Sequence, residues 1–156
     1  MLSVLTEKTG PYAKYWRIVK IGLIAYILSF VIGVAVGFML GFNYEDADLG
    51  ALPDSLWYIG MATTAMLTYF MTRLYFNNST VAPSAREGLI FGVGVILVGV
   101  VLDSILFVPQ IVSLGVSALI AYYTHPFFLL TIAILLAVAT AVGILSDKER
   151  SEQKAS

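Results

Sequence analysis

The chain has 156 residues, 59% hydrophobic and 12% charged, with Lys and Arg numbering 9 against 10 Asp and Glu, for a formal net charge of -1. A water-soluble domain of this size cannot hide so much apolar surface, and its exterior would need far more charge. The balance leaves no basic face for nucleic acid, and the lack of cysteine removes disulfides, thiolate metal sites and a cysteine nucleophile.

Residues 1–16 form a polar lead that ends in Tyr12, Tyr15 and Trp16. These amphipathic rings suit a membrane–water interface. Four apolar stretches follow, at roughly 21–42, 55–76, 88–108 and 126–146. Each is about 20 residues long, which at ~1.5 Å per residue covers the ~30 Å hydrocarbon core as a helix. They are continuous rather than alternating, so barrel strands are excluded. The first uncharged run exceeds the ~7–15 residues of a signal-peptide core, and no small-x-small cleavage site follows it. It is expected to be a retained helix.

That first stretch carries Ala25, Ser29, Gly33, Gly37 and Gly41 at intervals of four, with two overlapping GxxxG units. In lipid, close backbone approach across small residues holds helices together. The ridge is therefore expected to pack inside the bundle, with a homo-oligomer contact as the sharper alternative. The link 43–54 is acidic, with Glu45, Asp46, Asp48 and Asp54. It reads as a solvated loop, since it lacks the Gly and Glu positions of a calcium loop.

Trp57 and Tyr58 mark the entry of the second stretch, and Tyr69 and Tyr75 its exit. The short link 74–84 holds an Asn-Asn-Ser-Thr run at 77–80 that reads as a turn. Ser84-Ala85-Arg86-Glu87 reads as a capping box opening the third helix. Residues 109–124 are uncharged and mostly apolar from 111 to 121. That length is too short to span. It fits an interfacial helix or a re-entrant piece, and we take the interfacial helix. Pro126 opens the fourth stretch, where its missing N–H costs nothing. Ala133, Ala137 and Ala141 repeat the small-residue spacing there. The last ten residues, 147–156, read as a charged, disordered tail.

The basic residues sort by link. Lys8, Lys14, Arg17 and Lys20 precede the first stretch; Arg73 and Arg86 flank the second link; Lys148, Arg150 and Lys154 follow the fourth. The other two links carry none. The positive-inside rule then places both termini in the cytoplasm of a multi-pass cell-membrane protein. The expected architecture is all-α: a lead at 1–16, a four-helix transmembrane domain at 17–146 and a tail at 147–156.

Asp103 is the residue most out of place. It lies some 22 Å of helical rise beyond Gly88, about 8 Å short of the outer edge of the core. A carboxylate at the bilayer centre costs about 2.5–3.5 kcal/mol, and less toward an edge. Gly99, Gly92 and Gly88 fall within about 60° of it around the helix, so it is expected to face the bundle on the small-residue side. Thr63, Thr64, Ser104 and His125 are the expected neighbours. Thr64, Thr68 and Thr72 add a stripe at intervals of four, which either lines a polar path or bonds back to its own helix. His125, the sole histidine, makes no metal site alone and otherwise serves as a helix cap. No Walker loop, G-x-S-x-G or H-E-x-x-H is present.

The segment Arg86-Glu-Gly-Leu-Ile-Phe-Gly92, with Asp103-Ser-Ile-Leu-Phe-Val-Pro109, Tyr122 and Pro126-Phe-Phe, resembles small uncharacterised four-helix integral membrane proteins of bacteria. The resemblance covers about a third of the chain. It implies the fold and the importance of an Asp late in a Gly-rich third helix, and carries no activity.

The expectation is thus a non-enzymatic membrane protein without cofactor or metal. The first reading is an accessory or interaction component, whose partners are the lipid bilayer and either a second copy of the chain or another membrane protein. The alternative is a small proton- or cation-linked transporter or channel that uses Asp103. A membrane enzyme or lipid-binding protein that uses Asp103, His125 and the link at 109–124 is the third and weakest.

Overall fold

The structure is a computed structural model, described for residues 12–42, 53–77, 81–106, 108, 112 and 115–155. These residues form helices α1 (Ala13–Met39), α2 (Asp54–Phe76), α3 (Ala85–Leu106), α4 (Val116–Thr124) and α5 (Pro126–Ala155). No strand occurs among them. Helices α1, α3 and α5 are each long and apolar enough to cross a membrane. Helix α2 is long enough, but Thr63, Thr64, Thr68, Thr72 and its aromatic ends dilute its apolar run. The acidic link at Glu45, Asp46 and Asp48 lies outside the described residues, as do positions 78–80.

Helix α5 packs on α3 and α2, and α1 packs on the same two helices. Among the described residues α1 and α5 make no close backbone approach, and α2 and α3 barely touch. The order around the bundle is therefore α1, α2, α5, α3, with chain neighbours α2 and α3 on a diagonal. Pairing is parallel for α1 with α3, where Lys14 meets Glu87 and Tyr26 meets Asp103. It is antiparallel for α3 with α5, where Gly88 meets Ala139 and Gly143 meets Ser84.

Small residues set these approaches. A Cβ at Gly88 would collide with the carbonyl oxygen of Ala139, and one at Gly143 with that of Ser84. At Gly92 it would come within 3.1 Å of Leu136, and at Gly22 within 3.3 Å of Val98. Only a missing side chain allows backbones this close. The expected Gly88–Gly92–Gly99 face thus packs inward, and a Cβ at Gly99 would lie 3.9 Å from the Tyr26 ring.

The expected ridge on α1 is only partly a packing surface. Ala25 and Gly37 are buried and Ser29 is half-buried, but a Cβ at Gly33 meets nothing within 4 Å. Gly41 lies beyond the helix with φ 71°. It caps α1: Phe42 N–H donates to Gly37 O at 2.9 Å and Gly41 N–H to Phe38 O at 3.0 Å. This is the double bond of a left-handed glycine cap. On α5 the packed face is Ala139, Val142, Gly143 and Ser146, whereas Ala133, Ala137 and Ala141 are exposed. Residues 147–155 are helical rather than a disordered tail. They hold no Gly or Pro to stop α5, and Arg73 clasps Glu149 through two hydrogen bonds of 2.5 and 2.9 Å. That guanidinium holds the Glu149 carboxyl below its usual range, chiefly through these bonds.

The tightest core is at the basic end. Tyr75, Thr72, Phe91 and Val142 are almost fully buried there, beside Ile18, Ile21 and Val81. The exterior is apolar too: Ile27, Phe30, Val31, Leu97, Val101, Ile105 and Leu129 are all exposed. Such a surface needs a covering of matching chemistry.

Candidate functional site

Away from the basic end, the four long helices and α4 diverge around a cavity of about 300 Å³. Its walls include Ser29 of α1, Trp57, Thr64 and Thr68 of α2, Asp103 of α3, Tyr122 of α4 and Thr131 of α5. Close packing at Gly88 and Gly143 brings α3 onto α5 at one end, and the rings of Trp57, Tyr122 and Phe128 line the cavity at the other.

Among the described residues of this lining Asp103 is the charged group, and none is Lys, Arg or His. Its two oxygens are held from two directions. Tyr26 OH of α1 donates to Oδ1 at 2.5 Å, and Tyr123 OH of α4 donates to Oδ2 at 3.1 Å. Both tyrosines donate, and each carboxyl oxygen accepts one of the two bonds. The parallel register of α1 and α3 brings Tyr26 opposite Asp103, and the turn at Gly115, with φ 82°, brings α4 back over the same end.

The expected neighbours fare differently. Thr64 lines the same cavity, but Thr63 is absent from its lining. Ser104 is exposed and donates to Val100 O at 2.7 Å, on its own helix. His125 stacks on Trp57 with ring centres 4.7 Å apart and planes 2° apart. Its Nδ1 accepts the Phe127 N–H at 3.4 Å, so it caps α5 instead of pairing with Asp103. The reason is local: Pro126 starts a helix immediately after it, and the freed amides of that first turn need an acceptor.

Tyr26 and Tyr123, the actual partners, were not singled out from the sequence. Tyr26 did carry a signal. It lies some 20 Å into α1, too deep for an interfacial ring, and shares a face with Gly22 and Ser29.

A second carboxylate cluster sits at the basic end. Glu87 accepts Tyr75 OH at 2.7 Å and Lys14 Nζ at 3.3 Å. Its amide donates to Ser84 Oγ at 3.1 Å, so the capping box forms in one direction only, and the Glu87 side chain serves α1 and α2 instead. Arg17 donates to Leu74 O at 2.6 Å. Between the two carboxylates runs the threonine stripe: Thr64 and Thr68 line the cavity, and buried Thr72 donates to Thr68 O at 2.6 Å. Among the described residues no three His, Asp or Glu cluster as metal ligands. Comparison with protein-family models, curated proteins and solved structures finds no match for this chain.

Proposed function

We propose that the protein crosses the cell membrane four times, both termini cytoplasmic, and acts as a small non-enzymatic transporter linked to protons or cations through Asp103. One observation carries the reading. A carboxylate with two hydroxyl donors and, among the described residues, no basic partner lines a cavity between the long helices. Intramembrane carboxylates of this kind mark ion and proton pathways. The hydroxyls of Thr64, Thr68 and Thr72 extend from that cavity toward Tyr75 and Glu87. Tyr75 and Phe91 close the basic end, as one shut gate of an alternating carrier would. The accessory-protein reading has less support, since lipid covers the apolar exterior as well as any partner does.

Helix α2 serves as the fourth span because its polar side chains turn inward or bond to their own backbone, while Met66, Phe70 and Leu74 face out. Cysteines introduced as Asp46→Cys and Ser79→Cys test this. Maleimide labelling is expected from outside at 46 and from the cytoplasm at 79. Labelling of both from one side would mean that α2 does not cross.

The transport reading is tested by charge displacement on a supported proteoliposome membrane. A pH or alkali-cation jump is expected to give a transient current with the unaltered protein and none with Asp103→Asn. Asparagine keeps an acceptor for a tyrosine but loses the charge. Equal currents from both proteins, or none from either, would remove the reading.

A further inference from the structure

The cavity makes three separate chemical demands, and Asp103 accounts for only one. The first is for positive charge. Each carboxylate oxygen has about two lone-pair positions, so the two tyrosine bonds leave roughly half of the acceptor capacity open. The described lining offers no cation to fill it.

The second demand is for a hydrogen-bond acceptor. Trp57 is 8% exposed and lines the cavity, yet its buried indole N–H has no acceptor among the described residues. Indole nitrogen only donates, and a buried donor left unpaired is costly. Stacking on His125 and Tyr122 fixes the ring and leaves its edge group unserved. The third demand is for apolar volume. The space of about 300 Å³ corresponds to roughly ten waters at ~30 Å³ each, and its walls include the rings of Tyr26, Tyr122, Phe128 and Phe91.

A proton satisfies Asp103 but neither fills the volume nor reaches Trp57. A calcium or magnesium ion takes about six or more oxygen ligands, and this lining supplies one carboxylate and scattered hydroxyls. Water serves Trp57 and leaves the charge unmatched. Aromatic faces beside a carboxylate are, however, the chemistry that receives an organic ammonium group.

We infer that the cavity binds a small organic monocation that carries a hydrogen-bond acceptor, its ammonium group at Asp103 and its acceptor at the Trp57 indole. This rests on the cation-linked reading above and names its substrate class.

The test uses the full chain in lipid nanodiscs, with acetylcholine purely as a probe and its neutral carbon analogue, 3,3-dimethylbutyl acetate, as the control. Calorimetry is expected to show acetylcholine binding and at least about thirtyfold weaker binding of the neutral ester, the loss typical of an unpaired buried charge. Asp103→Asn should lose a similar factor. Trp57→Phe should lose about three- to tenfold, the worth of one hydrogen bond. In a Trp16→Phe background, acetylcholine should shift the emission of Trp57. The comparison of the two esters is made on the unaltered chain, so it stands even if a variant fails to fold.

Equal binding of the two esters overturns the inference. So does absence of binding by both acetylcholine and tetraethylammonium up to about 10 mM, the weak limit of specific recognition. If Asp103-dependent charge displacement persists in that case, only the substrate class falls; if it is absent too, the transport reading falls with it.

Discussion

Gly143→Ala is expected to be among the most destabilising single substitutions in the chain, although it adds one methyl group. That carbon would overlap the Ser84 carbonyl oxygen and lie 3.0 Å from its carbon. Ser84 is backbone at the start of α3, held by the Gly88 amide at 3.0 Å, so it cannot rotate aside. Two effects oppose each other. Alanine favours helix over glycine by about 1 kcal/mol, whereas overpacking a tight interface costs about 1–3 kcal/mol, and more when backbone must move. The overlap wins, for a net loss of about 2 kcal/mol. Gly88→Ala, which meets the Ala139 carbonyl, should behave alike. Gly33→Ala, with nothing within 4 Å, should leave the chain unchanged or slightly more stable. Thermal unfolding in detergent of the three variants checks the set. If Gly143→Ala melts with the unaltered protein, α3 and α5 do not meet as described.

Glu87→Ala is expected to loosen the basic end more than any other polar substitution there. One carboxylate on α3 ties it to two other helices: it accepts Tyr75 of α2 and Lys14 of α1. Tyr75 is 0% exposed, so its hydroxyl would be left without an acceptor. A hydrogen bond to a charged group is worth about 1.5–3 kcal/mol. The half-exposed Lys14 pair adds at most about 1 kcal/mol. A loss of about 3 kcal/mol follows. Glu87→Gln keeps an acceptor for Tyr75 and should recover more than half. Hydrogen exchange of 72–91 against that of 126–135 reads the effect locally. Uniform change across both segments would mean that Glu87 does not act at the junction.

How much of this was legible in the chain depends on the kind of contrast each feature offers. The apolar lengths of α1, α3 and α5 stand out because lipid tolerates no interruption. Asp103 stood out for the same reason, and the direction it faces followed from the glycines on its helix. Its partners did not follow. Tyr26 reaches it only through the rotation and parallel register of α1 against α3, which no local pattern encodes. The packing faces were misread where lipid and protein present similar chemistry. On α5 both the Ala133–Ala137–Ala141 face and the Ala139–Gly143 face consist of small residues, and without a polar side to contrast, spacing alone cannot tell which turns inward. Gly41 fitted the spacing of a ridge, yet its positive φ makes it a stop. The tail was judged by its charge, while Arg73 and the absence of a breaker kept it helical.

The diagonal placement of α2 and α3 bears on how the molecule is made. Helices leave the ribosome in order, and α1 and α2 can close as a hairpin at once. The next to emerge, α3, finds its site on α1 and barely touches the helix to which the shortest link ties it. Until α5 arrives, Gly88 and Gly92 of α3 lack the helix that packs on them. A nascent chain halted before Pro126 is thus a half-built wall. Helix α5 is the keystone that gives the cavity its final side.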